Sequence, residues 1–202
     1  TQPETRKVMK FRDDEPQKTL QVPKEYIIPA QYDKVIDIVK AHGFEIEYLK
    51  KEKTITANTY RFKNVEFYQM PYEGRSRICR FELEEISKEM TFPKGSAVVK
   101  TSQNGIRLLM NLLEPEMQGS LFEWGFFNTV LQRVEYFEIY KMEPFARQML
   151  VEDPFLQNQF DDWMASFPET EKPSQYAIMN WFYEQSPYFD KNYMIYPIGI
   201  VR

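Results

Sequence analysis

The chain has 202 residues, of which 43% are hydrophobic and 28% are charged, so it can bury a core as one ordinary domain or two small ones. Lys and Arg number 26 against 30 Asp and Glu, and this mildly acidic balance disfavours nucleic-acid binding because it does not attract a phosphate backbone. One cysteine excludes an internal disulfide, one histidine excludes sites that need two imidazoles, and no apolar run reaches the roughly 18 residues of a membrane helix.

The first 24 residues are polar and contain three prolines. Most of this stretch has no hydrophobic period, which is typical of a linker. We therefore interpret residues 1–24 as a linker-like lead-in, with at most one short strand near Val8–Phe11.

A regular pattern begins at Tyr26. Tyr26-Ile27-Ile28 is typical of a short buried strand, and apolar residues then recur at helical spacing from Tyr32 to Val39. His42-Gly43 is expected to end that helix, because glycine readily adopts the left-handed conformation of a helix end. Phe44 to Tyr48 alternates apolar and charged residues, which predicts a second strand. Together these elements predict a compact β-α-β unit with a right-handed crossover.

Residues 53–100 are rich in strand-forming patterns. The predicted strands run from Ile55 to Phe62, Val65 to Tyr72, Ile78 to Ile86 and Ala97 to Val99. Turn residues separate them at Lys63-Asn64, at Pro71 with Gly74, and at Pro93-Lys94-Gly95-Ser96.

Helical periodicity dominates after residue 103. The predicted helices are Ile106 to Leu113, a long amphipathic helix from Leu121 to Phe137, Pro144 to Leu150, Pro154 to Ala165, and Gln175 to Gln185. The segregation of strands and helices predicts an α+β fold, with a mixed β-sheet and one crossover helix in the N-terminal half and a helical C-terminal half packed against it. We expect a single domain over 25–202, β-rich over 25–100, helical over 103–186, and ending in an irregular aromatic tail over 187–202.

Catalytic signatures are weak. His42-x-x-Glu45 has the spacing of a zinc-binding pair, but a hydrolytic zinc site usually needs a third protein ligand, and no second histidine exists. A helix-terminating His-Gly explains these residues better. Cys79 lies in an alternating strand, so inert packing is the expectation. We predict no catalytic residue and no metal ligand in this chain.

Acidic residues offer one alternative. Glu135 and Glu138, three apart on the predicted long helix, could share a face as a paired-carboxylate site. The other candidates nearby are Glu114, Glu123 and Glu143. A solvated helix face explains all of them more simply.

An exposed binding surface is a second possibility. Tyr72 and Glu73 stand next to Gly74-Arg75 between two predicted strands, and Trp124 lies in an aromatic segment further along the chain. Aromatic rings beside opposite charges can bind a peptide or a sugar. Tyr72, Glu73, Arg75 and Trp124 are therefore the candidate binding residues, although a hairpin turn and close packing are the favoured explanation of both segments.

Eight segments occur in an order that is characteristic of one protein group. They are Tyr26-Ile27-Ile28-Pro29-Ala30, His42-Gly43, Tyr72-Glu73-Gly74, Phe92-Pro93-Lys94-Gly95-Ser96, Leu112-Leu113-Glu114-Pro115, Trp124-Gly125-Phe126-Phe127-Asn128, Glu135-Tyr136 and Ser186-Pro187-Tyr188. From about Tyr26 to the end, the chain resembles the C-terminal region that follows the catalytic domain in bacterial zinc carboxypeptidase-like proteins of the carboxypeptidase A superfamily, found especially in Bacteroidetes.

The resemblance implies a non-catalytic accessory domain. Such a domain packs on the preceding catalytic domain of the same polypeptide, or helps to bind a peptide or cell-wall substrate. The zinc ligands and the catalytic glutamate of the family belong to that preceding domain, so no cofactor is expected in this chain. The resemblance also implies a periplasmic or secreted location. Two alternatives stay open: a free-standing hydrolase with paired carboxylates, and an interaction domain that dimerises through its aromatic helices.

Overall fold

The computed structural model describes residues 3–9 and 19–202. Its strands are β1 Glu25–Ile28, β2 Glu47–Tyr48, β3 Lys53–Phe67, β4 Ile78–Phe92, β5 Ala97–Lys100 and β6 Gly199–Val201. Its helices are α1 Asp33–Ala41, α2 Ile106–Leu113, α3 Ile139–Glu152, α4 Pro154–Ala165 and α5 Gln175–Gln185, with short 3₁₀ turns at Asn128–Leu131 and Glu169–Glu171. Strands concentrate in the first half and helices in the second, which confirms the α+β class.

The strands of the described chain form one sheet in the order β2-β5-β1-β6-β3-β4. Every neighbouring pair is antiparallel, so the predicted mixed sheet is corrected to an antiparallel one. β1 and β2 do run in the same direction, but β5 lies between them and pairs antiparallel with both. The two strands of the predicted β-α-β unit are therefore not neighbours. The second of them, β2, has only the two residues that pair with β5.

β3 and β4 form a long two-stranded hairpin. The break predicted at Lys63-Asn64 is wrong, because Asn64 adopts a φ of 50° and the strand continues through a shift of register just after Lys63. Such a bulge absorbs an extra residue without ending the pairing. The turn predicted near Gly74 is confirmed: Glu73 and Gly74 have φ values of 50° and 73°, as a tight hairpin turn requires.

The main core lies on one face of the sheet, under α1, α2 and the turns that follow α2. Phe62 of β3 stacks on Phe122 with ring centroids 4.0 Å apart. Successive side chains of a strand point to opposite faces, so Tyr26 and Ile28 enter this core while Ile27 joins a smaller cluster on the other face. The sheet is thus apolar on both sides at β1.

The long helix predicted over residues 121–137 is not formed. Gly125 adopts a φ of 73°, which turns the chain out of the helical path, and only the 3₁₀ turn Asn128–Leu131 remains. The apolar spacing marks burial only in part: Val134 is 78% exposed, whereas Leu121 and Phe127 are buried in the main core. They reach it from consecutive turns rather than from one helix face.

Gly125 and Gly119 provide a matched pair for a stability measurement. Both have a positive φ, of 73° and 75°, but a Cβ on Gly125 would stand 2.5 Å from the carbonyl oxygen of Ser76, whereas a Cβ on Gly119 meets nothing within 4 Å. We expect Gly119→Ala to cost about 1 kcal/mol of backbone strain, and Gly125→Ala about 3 kcal/mol because the clash adds to that strain. Urea unfolding of both variants measures the difference. Equal losses would contradict the close approach.

Helices α3 and α5 pack against each other around a second apolar cluster. α3 begins at Ile139, five residues before the predicted start, which places Pro144 inside the helix. The side chains of Asp153 and Ser174 accept hydrogen bonds at the starts of α4 and α5, as N-caps do. The buried residues of this cluster are Met142, Ala146, Met179, Phe182 and Tyr183. The predicted packing of the helical half on the sheet holds through α2 and the turns after it.

The C-terminal tail contains a strand, which corrects the irregular tail predicted over 187–202. β6 fills the gap between β1 and β3, and both Ile198 and Ile200 are buried. Gly199 is required there, because a Cβ would stand 2.5 Å from Cζ of Phe92. A three-residue strand that follows Pro197 has little local signal, and the sheet on both sides determines its conformation.

Residues 3–9 have no regular secondary structure, and Val8 and Met9 are exposed. The remainder of the strand predicted near Val8–Phe11 lies outside the described residues. Within residues 3–9 and 19–202, each helix is too short or too polar to cross a bilayer.

Candidate functional site

The tip of the β3–β4 hairpin and the turn after α2 meet in one exposed patch. We call this patch the hairpin-end surface and define it by Tyr68, Tyr72, Arg75, Arg77, Trp124 and Phe126. Two hydrogen bonds join its halves: the Ile78 N–H donates to the Glu123 carbonyl at 2.9 Å, and Asn128 Nδ2 donates to the Ser76 carbonyl at 2.8 Å. The absence of a Cβ at Gly125 allows this close approach.

Both arginines of the hairpin-end surface lie over aromatic rings. Cζ of Arg75 is 3.5 Å from the ring centroid of Phe126. Cζ of Arg77 lies among three rings, at 4.8 Å from Tyr68, 5.2 Å from Tyr72 and 5.0 Å from Trp124. Each contact of this kind contributes about 0.5–1 kcal/mol at an exposed site, so the two guanidinium groups are held in place.

The charges of these arginines have no acidic partner in the part of the chain that the structure describes. Among the described residues, neither Arg75 nor Arg77 forms an ion pair. Nε of Arg77 is buried and has no hydrogen-bond partner within that part of the chain. Guanidinium groups with unused N–H donors bind carboxylates and phosphates in a two-pronged geometry. The surface therefore offers positive charge beside flat apolar rings.

The structure brings together three of the four predicted binding residues. Tyr72 and Trp124 lie with ring centroids 6.1 Å apart, and Arg75 is next to them in the same patch. Glu73 is exposed at the turn itself. Sequence reasoning missed Arg77, which lies just before β4 and outside the predicted strands.

Glu114 is buried, and its role is structural. The Tyr26 hydroxyl donates to Oε1 at 2.5 Å and the Tyr60 hydroxyl donates to Oε2 at 2.8 Å, so the end of α2 is joined to β1 and β3. Tyr196 donates to the neighbouring Leu113 carbonyl at 2.6 Å. Burial, with the nearby Glu114 carboxylate as a second cause, raises the pKa of Tyr26 and of Tyr60 well above the ordinary tyrosine value.

The paired-carboxylate hypothesis loses its geometric basis. Glu135 and Glu138 were expected on one face of a helix, but residues 132–138 form no helix. Glu135 accepts a hydrogen bond from the Tyr183 hydroxyl at 3.3 Å. The other candidates are engaged as well, Glu123 with the Gly119 N–H at 2.6 Å and Glu143 with Arg147 at 2.8 Å.

The lone histidine ends a helix, as predicted. His42 Nδ1 donates to the Ile38 carbonyl at 2.8 Å, and Gly43 follows with a φ of 86°. Cys79 is exposed on β4, which corrects the expectation that it packs inside. No cluster of three or more His, Cys, Asp or Glu side chains suited to a metal ion occurs in the described ranges.

The hairpin-end surface thus combines positive charge with accessible aromatic rings. Its arginines can bind an anionic group while Tyr72 and Trp124 contact a sugar ring or an extended peptide. No family model, curated protein or solved structure matches this chain.

Proposed function

We propose that this chain is a non-catalytic accessory domain of a zinc carboxypeptidase-like hydrolase. Its hairpin-end surface would hold the carboxylate of a peptide or cell-wall substrate near the catalytic domain. The order of the eight resembling segments supports the first part of the proposal. A two-histidine zinc signature encoded before Thr1 in the same reading frame would test that part directly.

One observation carries the binding role: two arginines are fixed on aromatic rings and have no carboxylate partner in the described chain. A purely structural arginine at a protein surface usually pairs with an acidic neighbour or extends into water. Here the aromatic rings already fix the side chains of Arg75 and Arg77 before a ligand binds. Less conformational entropy is therefore lost when a carboxylate binds. Peptides with a free C-terminus and peptidoglycan fragments both provide such a group.

Isothermal titration with peptidoglycan fragments, short peptides with free C-termini and neutral glycans tests this role. We expect binding to a carboxylate-bearing probe, and we expect Arg77→Gln to weaken it about tenfold or more because the charge-assisted hydrogen bonds are lost. Arg147→Gln is the matched control, since that arginine lies on α3 and pairs with Glu143.

Tyr72→Ala tests the aromatic part of the surface. Its control is Tyr48→Ala on β2, because the two tyrosines are exposed to a similar degree, 54% and 51%. Loss of affinity in the Tyr72 variant alone supports the proposal. No binding to any of the three probe classes would refute a substrate-binding role and leave packing on the catalytic domain as the only accessory role.

A further inference from the structure

Residues 132–138, which we call the unpaired strand, connect the 3₁₀ turn to α3 and belong to no helix and no paired strand. The backbone at both ends has strand dihedrals, with φ −96° and ψ 125° at Gln132 and φ −94° and ψ 129° at Glu138. Within the described chain, the backbone groups of residues 133–137 form no backbone–backbone hydrogen bond. An extended segment with free N–H and C=O groups is a template on which another strand can pair.

One side of the unpaired strand packs on α5, around the ring of Tyr183. Cζ of Arg133 lies 5.2 Å from the Tyr183 ring, Glu135 accepts from the Tyr183 hydroxyl at 3.3 Å, and the Phe137 ring lies 5.3 Å from the same ring. These three residues alternate along the chain, as they do in a β-strand. The segment is therefore held in strand conformation before any partner binds.

The other residues of the unpaired strand point to solvent beside a groove. Val134 and Tyr136 are each 78% exposed, and Tyr140 and Tyr188 are 70% and 66% exposed. All four line a groove of about 1070 Å³. Exposed tyrosines around a concave surface are typical of protein contact sites, because a rigid ring buries much area at little entropic cost.

We propose that the unpaired strand binds an extended, basic peptide segment by strand addition, with the basic side chains in the groove. The backbone of residues 133–137 would supply the hydrogen bonds, and the tyrosines would contact the apolar side chains of the peptide. The charge of the partner follows from the groove, whose charged lining has two carboxylates, Glu135 and Glu138, against one ammonium, Lys141. Arg133 on the strand itself is already paired with Glu184 at 3.8 Å. This site shares no residue with the hairpin-end surface and does not depend on the function proposed there.

Two alternating heptapeptides test the charge of the partner, one of valine and lysine and one of valine and glutamate. We expect the lysine peptide to bind at least about tenfold more tightly in fluorescence anisotropy with the unmodified protein. Glu138→Lys is expected to remove this preference. Lys172→Glu, a charge change on the loop before α5, serves as the control.

Selective N-methylation of the lysine peptide tests strand pairing. A paired peptide uses the N–H groups of alternate residues, so methylation of one set is expected to abolish binding while methylation of the other set leaves it within about threefold. Equal effects of the two sets, or equal affinity for both charges, would overturn the proposal. Sedimentation velocity of the protein alone supplies a further check, because concentration-dependent dimers that Tyr136→Ser removes would make a second copy the occupant and refute the peptide assignment.

Discussion

Replacing Glu114 with leucine is expected to lower the free energy of unfolding by about 3 kcal/mol. The hydroxyls of Tyr26 and Tyr60 both donate to this carboxylate, and all three residues are buried. Without the acceptor, two hydroxyls would stay buried with no partner, and each such group costs about 1–3 kcal/mol. Urea unfolding followed by tryptophan fluorescence at neutral pH measures the loss.

Two further variants separate the unsatisfied hydroxyls from a general loss of packing. Combining Glu114→Leu with Tyr26→Phe and Tyr60→Phe removes the two hydroxyl donors that have lost their acceptor. We therefore expect the triple variant to regain most of the lost stability. Glu143→Leu is the exposed control, because its pair with Arg147 four residues away contributes only about 0.3–0.5 kcal/mol. A triple variant as unstable as the single one would contradict this account.

Local sequence signals predicted the elements whose ends carry their own chemistry. Gln175–Gln185 is found as predicted, with Ser174 as its cap, and α4 begins at Pro154 behind the Asp153 cap. The long helix predicted from residue 121 is wrong because apolar spacing does not specify the path of the backbone. One glycine with a φ of 73° and one backbone contact with Ser76 decide that path, and neither is encoded in the periodicity.

Strand pairing was harder to predict than strand position. The sequence places β1 and β2 on either side of a helix, which favours parallel neighbours, yet β5 inserts between them from about fifty residues further along the chain. β6 has only three residues, and its position in the middle of the sheet depends on contacts with β1 and β3. Long-range pairing of this kind leaves almost no local pattern.

The candidate site was predicted only in part, because it too depends on contacts between distant segments. Tyr72 and Arg75 flank a turn that the sequence identifies, and Trp124 was chosen as an aromatic residue in an unusual context. Arg77 was overlooked because its role depends on rings from two separate segments, Tyr72 in the hairpin and Trp124 after α2. The helix predicted over residues 121–137 covers most of the unpaired strand. A helix would have paired these backbone groups internally, so no free backbone was expected there.

The stability of the protein is expected to fall steeply above about pH 10. Tyr26 and Tyr196 are fully buried, and burial, with the nearby Glu114 carboxylate as a second cause, raises the pKa of both far above the ordinary value of 10.0. Their contribution is complete below the unfolded-state pKa of about 10 and is lost as the pH rises, because the unfolded chain then releases protons that the folded chain retains. Above that pH, each such tyrosine lowers the free energy of unfolding by about 1.4 kcal/mol per pH unit. The two together lower it by about 3 kcal/mol per pH unit.

Urea unfolding at several pH values between about 9 and 11 measures this slope, and variants assign it to the buried tyrosines. Tyr196→Phe is expected to reduce the slope by about 1.4 kcal/mol per pH unit, whatever its effect on stability at neutral pH, because one retained proton is removed. Tyr136→Phe is the matched control, since Tyr136 is 78% exposed and lies outside the core. Groups that the substitutions leave untouched contribute equally to all three proteins and cancel in the comparison. An unchanged slope in the Tyr196 variant would mean that this hydroxyl reaches solvent below the pH of global unfolding, and would contradict the closed core that joins α2 to the sheet.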